Sequence, residues 1–178
     1  YILDRPLLTG ILALELGRVL LYRPYMILLP LFAGDVFGVG ATGLGFLQGA
    51  SSVGGMVGSL AIASQGDMKH KGWLLLGAGV LSGVGLLCLG QAPSFAVALV
   101  ALVLASMGGS ACMVTRNTLL QSISSKQMRG RVVGFRRLIW GLRPLGTLPV
   151  GALGDAIGAP LTITLEGIGV ILLFVIGG

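Results

Sequence analysis

The stretch from residue 72 to residue 115 contains no Asp, Glu, Lys or Arg, and this absence of charge constrains the fold more than any other sequence feature. These 44 residues are too many for one membrane-crossing helix, which needs about 20 apolar residues. They suit two such helices joined by a tight turn, and the segment Gln91–Ser94 supplies a proline for that turn. The sequence therefore predicts two consecutive membrane-crossing helices in this stretch.

The composition of the whole chain agrees with a lipid environment. Of its 178 residues only 10% are charged and 54% are hydrophobic, and the mean hydropathy is +0.96. Soluble domains have about 25% charged residues, so this chain has too few polar side chains to cover a water-facing surface. Because the backbone must satisfy its own hydrogen bonds in lipid, helices are the expected structure. We predict an all-α polytopic membrane protein, with Cys88 and Cys112 as free buried thiols in apolar stretches.

Applied to the whole chain, the same length argument predicts six membrane-crossing helices in a single bundle. The predicted spans cover residues 7–32, 41–63, 73–90, 95–117, 130–153 and 160–176. The chain begins with Tyr1 and ends with two glycines directly after an apolar run, and it shows no signal-peptide pattern. We therefore expect the chain to be an internal piece of a longer protein.

Charge alternates between the successive gaps that separate the predicted spans. The first, third and fifth gaps contain Asp35 and Asp155 but no Lys or Arg. The second and fourth gaps and their borders contain the basic residues Lys69, Lys71, Lys126, Arg129 and Arg131. Because cytoplasmic loops of membrane proteins are enriched in Lys and Arg, these residues are predicted to determine the topology. Both termini are then cytoplasmic, in a multi-pass protein of the cell (inner) membrane.

Two other classes of function find little support in the sequence. The net charge of +6 suggests nucleic-acid binding, but the basic residues lie in short clusters between apolar runs, without interleaved aromatic residues. The single histidine, His70, lies in a predicted loop, so no intramembrane Ser–His dyad or metal cluster is expected, and there is no P-loop. We expect a protein that is not an enzyme, with no nucleic-acid partner, no catalytic residue, no bound metal and no cofactor.

Glycine accounts for 31 residues and is concentrated in the second predicted span. Gly45 and Gly49, and likewise Gly54 and Gly58, follow the small-xxx-small pattern that lets another helix backbone approach closely. We interpret these four glycines as helix-packing residues. The pattern leaves open whether the partner helix belongs to this chain, or whether the second and fifth spans form a sliding interface with another bundle.

A row of polar side chains lies in the first predicted span. Glu15, Arg18, Tyr22 and Tyr25 are spaced i, i+3, i+7 and i+10, which places them along one helical face. An ionisable group costs about 2.5–3.5 kcal/mol at the centre of a membrane helix, so it marks a functional site by default. We predict that this row lines a substrate or proton pathway. The alternative is a neutral Glu15–Arg18 pair within the helix, near the cytoplasmic surface.

Two further charges are predicted to lie deep in the membrane. Arg143 is about 18 Å along the helix axis from Arg131, at 1.5 Å per residue, which places it near the middle of the bilayer. It is the best single candidate for contact with an anionic group on the substrate pathway. Glu166 lies at a comparable depth in the next span, so a salt bridge between Arg143 and Glu166 is the alternative. Arg116 and Asn117, at the end of the fourth span, are expected to snorkel to the membrane surface.

Two long stretches of the sequence resemble a known family. They are YMILLPLFAGDVFGVGATGLGFLQGASSVGGMVGSLAIA at residues 25–63 and RGRVVGFRRLIWGLRPLGTLPVGALGDAIGAP at residues 129–160. The LLP-FA helix end, the glycine-rich helix and the RGR before PLG…G…GD…G resemble, in this order, the C-terminal half of major facilitator superfamily transporters. The resemblance is in particular to drug and siderophore exporters of the enterobactin-exporter type. The loop at residues 65–72 departs from the family's basic loop motif.

The resemblance covers nearly the whole chain, as helices seven to twelve of a twelve-helix protein. It implies a six-helix bundle of two inverted three-helix repeats that faces an N-terminal six-helix half absent from this chain. It also implies that the polar row of the first span lines the central cavity, near Cys112 and Met113. Arg143 would then lie at the interface between the halves, and Glu166 on a peripheral helix.

Two functions follow from these expectations. The first is a secondary active transporter, a proton-coupled antiporter that exports a drug-like or siderophore-like molecule by alternating access, with Glu15 as the protonatable group. Its partners are the lipid bilayer, a small-molecule substrate, protons and the N-terminal half. The second is a non-transporting membrane subunit, or an oligomeric assembly partner, whose buried charges are structural.

Overall fold

The computed structural model describes residues 6–22, 25–64, 71–123 and 129–176. Those residues form helices joined by short turns, with no β-strand among them, so the predicted all-α class is confirmed. The α-helices are α1 (Pro6–Leu21), α2 (Tyr25–Leu31), α3 (Gly40–Ala63), α4 (Lys71–Gly90), α5 (Phe95–Ile123), α6 (Arg129–Gly141), α7 (Arg143–Ile157) and α8 (Ala159–Ile176). A π-helical stretch, Phe32–Val36, continues α2.

Five segments within the described ranges are long and apolar enough to cross a membrane. They are Leu14–Val36, Gly40–Ala63, Gly72–Gly90, Phe95–Leu119 and Ala159–Ile176. These segments overlap the first, second, third, fourth and sixth predicted spans. The fifth predicted span is the one that differs in the structure.

The predicted fifth span, residues 130–153, is interrupted by a turn at Leu142 between α6 and α7. The N–H of Leu142 donates to the carbonyl of Ile139 at 3.1 Å, and the N–H of Leu145 donates to the carbonyl of Leu142 at 3.0 Å. Pro144 explains the interruption, because a proline has no N–H and its ring clashes with the carbonyl four residues earlier. The fifth predicted span therefore consists of two helices, and its crossing of the membrane stays a prediction.

The end of the first span depends on two glycines. Gly38 and Gly40 have φ values of 63° and 60°, a conformation that a residue with a Cβ rarely adopts. Just before α3, the N–H of Val39 donates to the carbonyl of Ala33 at 2.8 Å, and the N–H of Gly38 donates to the carbonyl of Gly34 at 3.1 Å. These bonds satisfy carbonyl groups at the end of the π-helical stretch and lead the chain directly into α3.

Helix α5 is the centre of the bundle, because it packs extensively against both α3 and α4, and α4 packs in turn against α8. Glycines allow the contact between α3 and α5. A Cβ added to Gly54 would lie 2.3 Å from the carbonyl oxygen of Val103 on α5. One added to Gly58 would lie 2.2 Å from the carbonyl oxygen of Met107. Since both contacts are with backbone, a larger residue at either position would force the two helices apart.

The other large helix contacts are built in the same way. A Cβ added to Gly85 of α4 would lie 2.3 Å from the backbone nitrogen of Ala105 on α5. A Cβ added to Gly167 of α8 would lie 2.8 Å from the backbone nitrogen of Leu87 on α4. Close backbone approach of this kind holds membrane helices together by dispersion, because lipid supplies no hydrophobic driving force between them.

Gly45 and Gly49 have a different environment from Gly54 and Gly58. No atom lies within 4 Å of where a Cβ would stand at Gly45 or Gly49, and both residues are exposed. The two pairs are offset by nine residues, about two and a half helical turns, so they lie on opposite faces of α3. Within the described residues, the predicted packing role of Gly45 and Gly49 has no partner helix.

The outer surface of the bundle is apolar, as a bilayer requires. Large hydrophobic side chains that are mostly exposed include Phe46, Val100, Leu148, Leu161 and Ile176. Soluble proteins rarely leave so much apolar surface uncovered. Both cysteines are free, but only Cys112 is buried as predicted. Cys88 is exposed on α4, so the predicted burial of this thiol is wrong.

The helix contact at Gly54 can be tested by adding a single methyl group. We expect Gly54→Ala to destabilise the protein by about 1–3 kcal/mol, because the added Cβ overlaps the carbonyl oxygen of Val103. Thermal unfolding of the purified full-length protein in detergent measures the effect. Gly77→Ala on α4 is the matched control, since no atom lies within 4 Å of its Cβ position. Equal unfolding temperatures for the two variants would contradict the close packing of α3 against α5.

Candidate functional site

The polar row of the first span contacts the middle of α5. The hydroxyl of Tyr22, which directly follows α1, donates to the carbonyl oxygen of Ala105 at 2.8 Å. One turn earlier, Nη2 of Arg18 donates to the carbonyl oxygen of Gly109 at 2.7 Å. A helical carbonyl has a second lone pair that can accept such a bond. The order of these contacts makes α1 and α5 antiparallel, and both donor side chains are buried.

The next contact along the same face is ionic. Oε2 of Glu15 lies 2.6 Å from Nε of Arg116 on α5, and both side chains are almost completely buried. The indole N–H of Trp140 on α6 donates to Oε1 of Glu15 at 3.1 Å. Each carboxylate oxygen therefore has a partner. A buried ion pair with an additional hydrogen bond is the arrangement in which electrostatic attraction best offsets the loss of hydration.

Gly109 makes room for these side chains against α5. A Cβ at this position would lie 2.3 Å from the hydroxyl oxygen of Tyr22 and 2.7 Å from the ring carbon that bears it. The guanidinium carbon of Arg18 lies 5.0 Å from the centre of the Tyr22 ring, which is within the range of a cation–π interaction. Gly109 therefore allows a tyrosine ring and a guanidinium group to share the surface of one helix.

A cavity of about 250 Å³ opens beside these contacts, between the first span, α3 and α5. Arg18, Tyr22, Tyr25 and Met26 line it from the first span, and Met113 lines it from α5. The rings of Tyr22 and Tyr25 meet edge to face, with 5.3 Å between their centres. The cavity thus combines one cationic group with two aromatic rings and two thioethers.

Serine side chains complete the cavity on the side of α3 and α5. The hydroxyls of Ser51 and Ser106 are hydrogen-bonded to each other at 2.8 Å, which joins α3 to α5. Ser52 donates to the carbonyl of Gln48 at 2.9 Å. Ser110 also lines the cavity, and its hydroxyl has no hydrogen-bond partner in the described part of the chain. The wall therefore offers hydroxyl groups that can donate to a polar ligand.

The structure brings together most of the residues predicted from the first span. Arg18, Tyr22 and Tyr25 line the cavity, whereas Glu15 is buried beside it, with 1% of its surface exposed. The Glu15–Arg18 pair considered from the i, i+3 spacing does not form. The Glu15 carboxylate instead pairs with Arg116, and Arg18 turns to α5.

Arg116 is the residue that the sequence analysis placed wrongly. We expected it to snorkel to the membrane surface, but its side chain is buried in the ion pair. Helical spacing could have predicted this burial. Arg116 lies seven residues after Gly109, and positions two turns apart share a helix face. A basic residue in line with a small-residue face points into the bundle rather than toward lipid.

Several predicted residues lie outside the part of the chain that can be described. Lys69 and Lys126 fall between the described ranges, and the side chains of Lys71, Arg129 and Arg131 are also outside the description. Their topogenic role stays a prediction. Arg143 is the first residue of α7, but its side chain is likewise outside the description, so its predicted contact with an anionic group is untested.

Glu166 on α8 is the other buried carboxyl group, with 4% of its surface exposed. Neither of its oxygens has a hydrogen-bond partner among the described residues. It lies one residue from Gly167, on the inward side of α8, rather than on the outer surface. Its predicted salt bridge with Arg143 is untested, because the arginine side chain is outside the description. In the described ranges, no group of three or more His, Cys, Asp or Glu gathers to hold a metal.

A larger depression, of about 710 Å³, lies between the ends of α4 and α8. Its walls include Trp73, Leu76, Val80 and Phe174, and its lining contains no charged side chain. Such an apolar lining offers no charged group that could pair with an ionic ligand. The cavity beside Arg18 is therefore the better candidate for a selective site, because it has polar groups that can orient a ligand.

The fold and the site together define a polytopic α-helical membrane protein with a charged, polar cavity inside its helix bundle. Comparison with known families gives a closer assignment, since the sequence matches the Major Facilitator Superfamily over residues 7–177. The chain belongs to the Major Facilitator Superfamily. Its members are membrane transporters rather than enzymes, which agrees with the expectation from the sequence. No curated protein is similar enough to the chain to count as a match.

The ion pair between Glu15 and Arg116 predicts a distinctive pattern of stabilities. We expect Arg116→Gln to destabilise the full-length protein by about 3–5 kcal/mol, because it leaves a buried carboxylate without its cation. The double variant Glu15→Gln/Arg116→Gln should recover much of this loss, since neither buried charge remains. Thermal unfolding in detergent measures both effects. Arg137→Gln, at an exposed arginine on α6, is the control and should change little. A double variant less stable than both single variants would contradict the pairing.

Proposed function

We propose that this chain is the C-terminal half of a secondary active transporter that exports a small organic molecule by alternating access. In this proposal, the cavity beside Arg18 and Tyr22 is the part of the substrate site that this half contributes. Proton uptake at Glu15 is the coupling step. The superfamily supports a transport function, and the resemblance to drug and siderophore exporters supports export as the direction.

The buried pair of Glu15 and Arg116 is the observation that carries the proposal. While Glu15 is ionised, the pair ties α1 to α5 beside the cavity. A protonated carboxyl group has no charge, so it leaves the guanidinium of Arg116 uncompensated in a buried position. Proton uptake therefore favours a conformation in which Arg116 reaches water. In this way one proton can be linked to a movement of α1 relative to α5.

The groups that surround Glu15 are compatible with this role. Arg18 lies one turn along the same helix, Arg116 is on α5 and Trp140 is on α6. Cys112, one turn before Arg116, is close enough to interact electrostatically with all three charged groups. Among the described residues in contact at this place, Glu15 is the carboxylate. It is therefore the group we assign to proton uptake.

We place this ion pair on the cytoplasmic side of the cavity. Arg116 lies in the last part of α5, toward the basic loop that the positive-inside rule assigns to the cytoplasm. The cavity residues Arg18 and Tyr22 lie further along the first span, toward the membrane middle. Glu15 can then exchange its proton with the cytoplasm in the conformation that opens on that side.

We also propose that the open face of α3 contacts the N-terminal half of the transporter. Gly45 and Gly49 lie on this side of the helix with space around them, beside exposed side chains such as Phe46 and Met56. Small residues at such positions let a second helix approach closely. The family resemblance implies this arrangement for the second helix of each repeat, and it gives the two unpartnered glycines a packing role.

A non-transporting membrane subunit is the second candidate function. It is favoured by one observation, namely that both oxygens of Glu15 have partners, as a purely structural ion pair would require. On this alternative, substitution of Glu15 lowers the yield of folded protein and there is no transport to couple.

Replacement of Glu15 by Gln tests the coupling directly. The amide oxygen can still accept the hydrogen bond from Trp140, but the side chain cannot take up a proton at neutral pH. We expect Glu15→Gln to abolish the response of export to an imposed pH gradient. A difference of one pH unit corresponds to about 1.4 kcal/mol for one coupled proton, or about tenfold in the substrate ratio. Efflux of neutral, cationic and anionic fluorescent compounds from liposomes containing the full-length protein measures this response.

Glu166→Gln is the matched control for this experiment, because Glu166 is also buried but is not part of the ion pair with Arg116. It should keep the gradient response. An unchanged response in Glu15→Gln would remove Glu15 from the coupling mechanism. If the folded wild-type protein transports no compound in the panel, the result supports the non-transporting subunit instead.

A second test needs no substrate. Because a neutral residue at position 15 weakens the tie between α1 and α5, we expect Glu15→Gln to raise the rate at which N-ethylmaleimide labels the buried Cys112. The exposed Cys88 is first replaced by Ala, and labelling of Cys112 is followed by peptide mass at a fixed pH. Glu166→Gln should label at the wild-type rate. Equal rates in all three proteins would count against a proton-dependent opening at this place.

A further inference from the structure

The charges around the cavity do not balance. Arg18 is the charged residue of the cavity lining in the described part of the chain. The nearest carboxylate, on Glu15, is engaged by Arg116 on one oxygen and by Trp140 on the other. Glu15 and Arg116 together are neutral, so the positive charge of Arg18 has no counter-ion among the described residues.

Arg18 also keeps hydrogen-bonding capacity that the protein does not use. A guanidinium group has five N–H donors. In the described chain one donor bond is formed, from Nη2 to the carbonyl of Gly109, and Nε is buried without a hydrogen-bond partner. The ring of Tyr22 attracts the positive charge but replaces neither a carboxylate nor a phosphate as an acceptor. A buried cation of this kind is costly until an anion joins it, and a planar guanidinium is suited to a carboxylate or sulfonate.

The rest of the cavity indicates the body of the ligand. Tyr25, Met26 and Met113 form apolar walls, and methionines adapt to irregular shapes. The hydroxyl of Ser110 can donate to a second acceptor. The volume of about 250 Å³ is the part of the site that this chain contributes, and it accommodates one ring with one anionic group. A larger substrate could place only an end with one ring and one anionic group in this cavity.

We propose that this cavity binds a small organic anion, whose carboxylate or sulfonate pairs with Arg18 while its planar apolar body contacts Tyr25, Met26 and Met113. The proposal deepens the proposed function, on which it rests, by naming the chemical class of the substrate. It assigns Arg18 the recognition of charge, whereas Glu15 and Arg116 form the switch beside it.

The test compares two probes that differ in charge but hardly in shape. Benzoate and benzamide are titrated into the full-length protein in lipid nanodiscs at neutral pH, and binding is measured by calorimetry. We expect benzoate to bind at least about tenfold more tightly than benzamide, since the amide cannot form an ion pair. Equal binding of the two probes, or no benzoate binding at millimolar concentration, would overturn the proposal.

Variants assign the preference to Arg18. Arg18→Gln should bind benzoate and benzamide equally, and Arg18→Lys should keep part of the preference for benzoate. Arg137→Gln removes an exposed arginine from α6 and should leave the preference unchanged. Should Arg18→Gln fail to fold, Ser110→Leu fills the cavity and is expected to abolish benzoate binding. Unaltered benzoate binding in either Arg18→Gln or Ser110→Leu would place the anion elsewhere.

This binding experiment separates the anion site from the transport mechanism, because equilibrium binding needs no proton gradient. A benzoate preference that depends on Arg18, without any gradient response in liposomes, keeps the anion site and removes the coupling proposal. Export of neutral or cationic compounds by a protein that shows no benzoate preference keeps the transport proposal and removes the anion site.

Discussion

The polar contact between α1 and α5 is the constraint on which the rest of the bundle depends. Inside a membrane no water is available to buried donors, so Tyr22, Arg18 and Glu15 must each find a partner in the protein. Helix α5 supplies two backbone carbonyls and one guanidinium, and backbone carbonyls are reachable only where its side chains are small. Glycines on α3, and small residues on both α4 and α5, let α3 and α4 approach α5 on its other sides. Satisfying one polar row therefore explains why residues 108–112 in the middle of α5 are all small.

The bundle has a rigid part, held by glycine and backbone contacts, and a part that can move. Helices α3, α4, α5 and α8 touch through glycine and backbone, where a displacement of one helix must carry its neighbour along. Helix α1 contacts α5 over a much smaller area and mainly through side chains, which can exchange partners without disturbing either backbone. A change in the charge of Glu15 thus acts on the contact between α1 and α5, which can change with the least displacement of neighbouring helices. The position of the ion pair suits a switch for that reason.

Much of the fold could be predicted from where charges are absent, because a long apolar run has few structures available in lipid. The polar row was predictable from spacing alone, since a helix places i, i+3 and i+7 on one face. The inward position of the Arg116 side chain was not predictable, because depth along a helix does not tell whether a long side chain turns inward or toward the surface. The partner of Gly45 and Gly49 was not predictable for a related reason, as a small-xxx-small pattern gives no information on which face has a neighbour. The break at Pro144 was predictable from the proline itself, because a proline inside a helix kinks or interrupts it.

An anionic substrate changes what the proton can do in this transporter. Protonating Glu15 removes a negative charge near Arg18 and releases the positive charge of Arg116, so it strengthens anion binding, and by linkage the anion strengthens proton binding. Exchange of a proton for an anion requires the opposite sign, because each must weaken the binding of the other. Export still has a driving force, since an inside-negative potential favours outward movement of an anion by about 2.3 kcal/mol per 100 mV. If both proposals hold, the membrane potential contributes to export alongside the proton taken up at Glu15, and the antiport expected from the sequence stays a prediction.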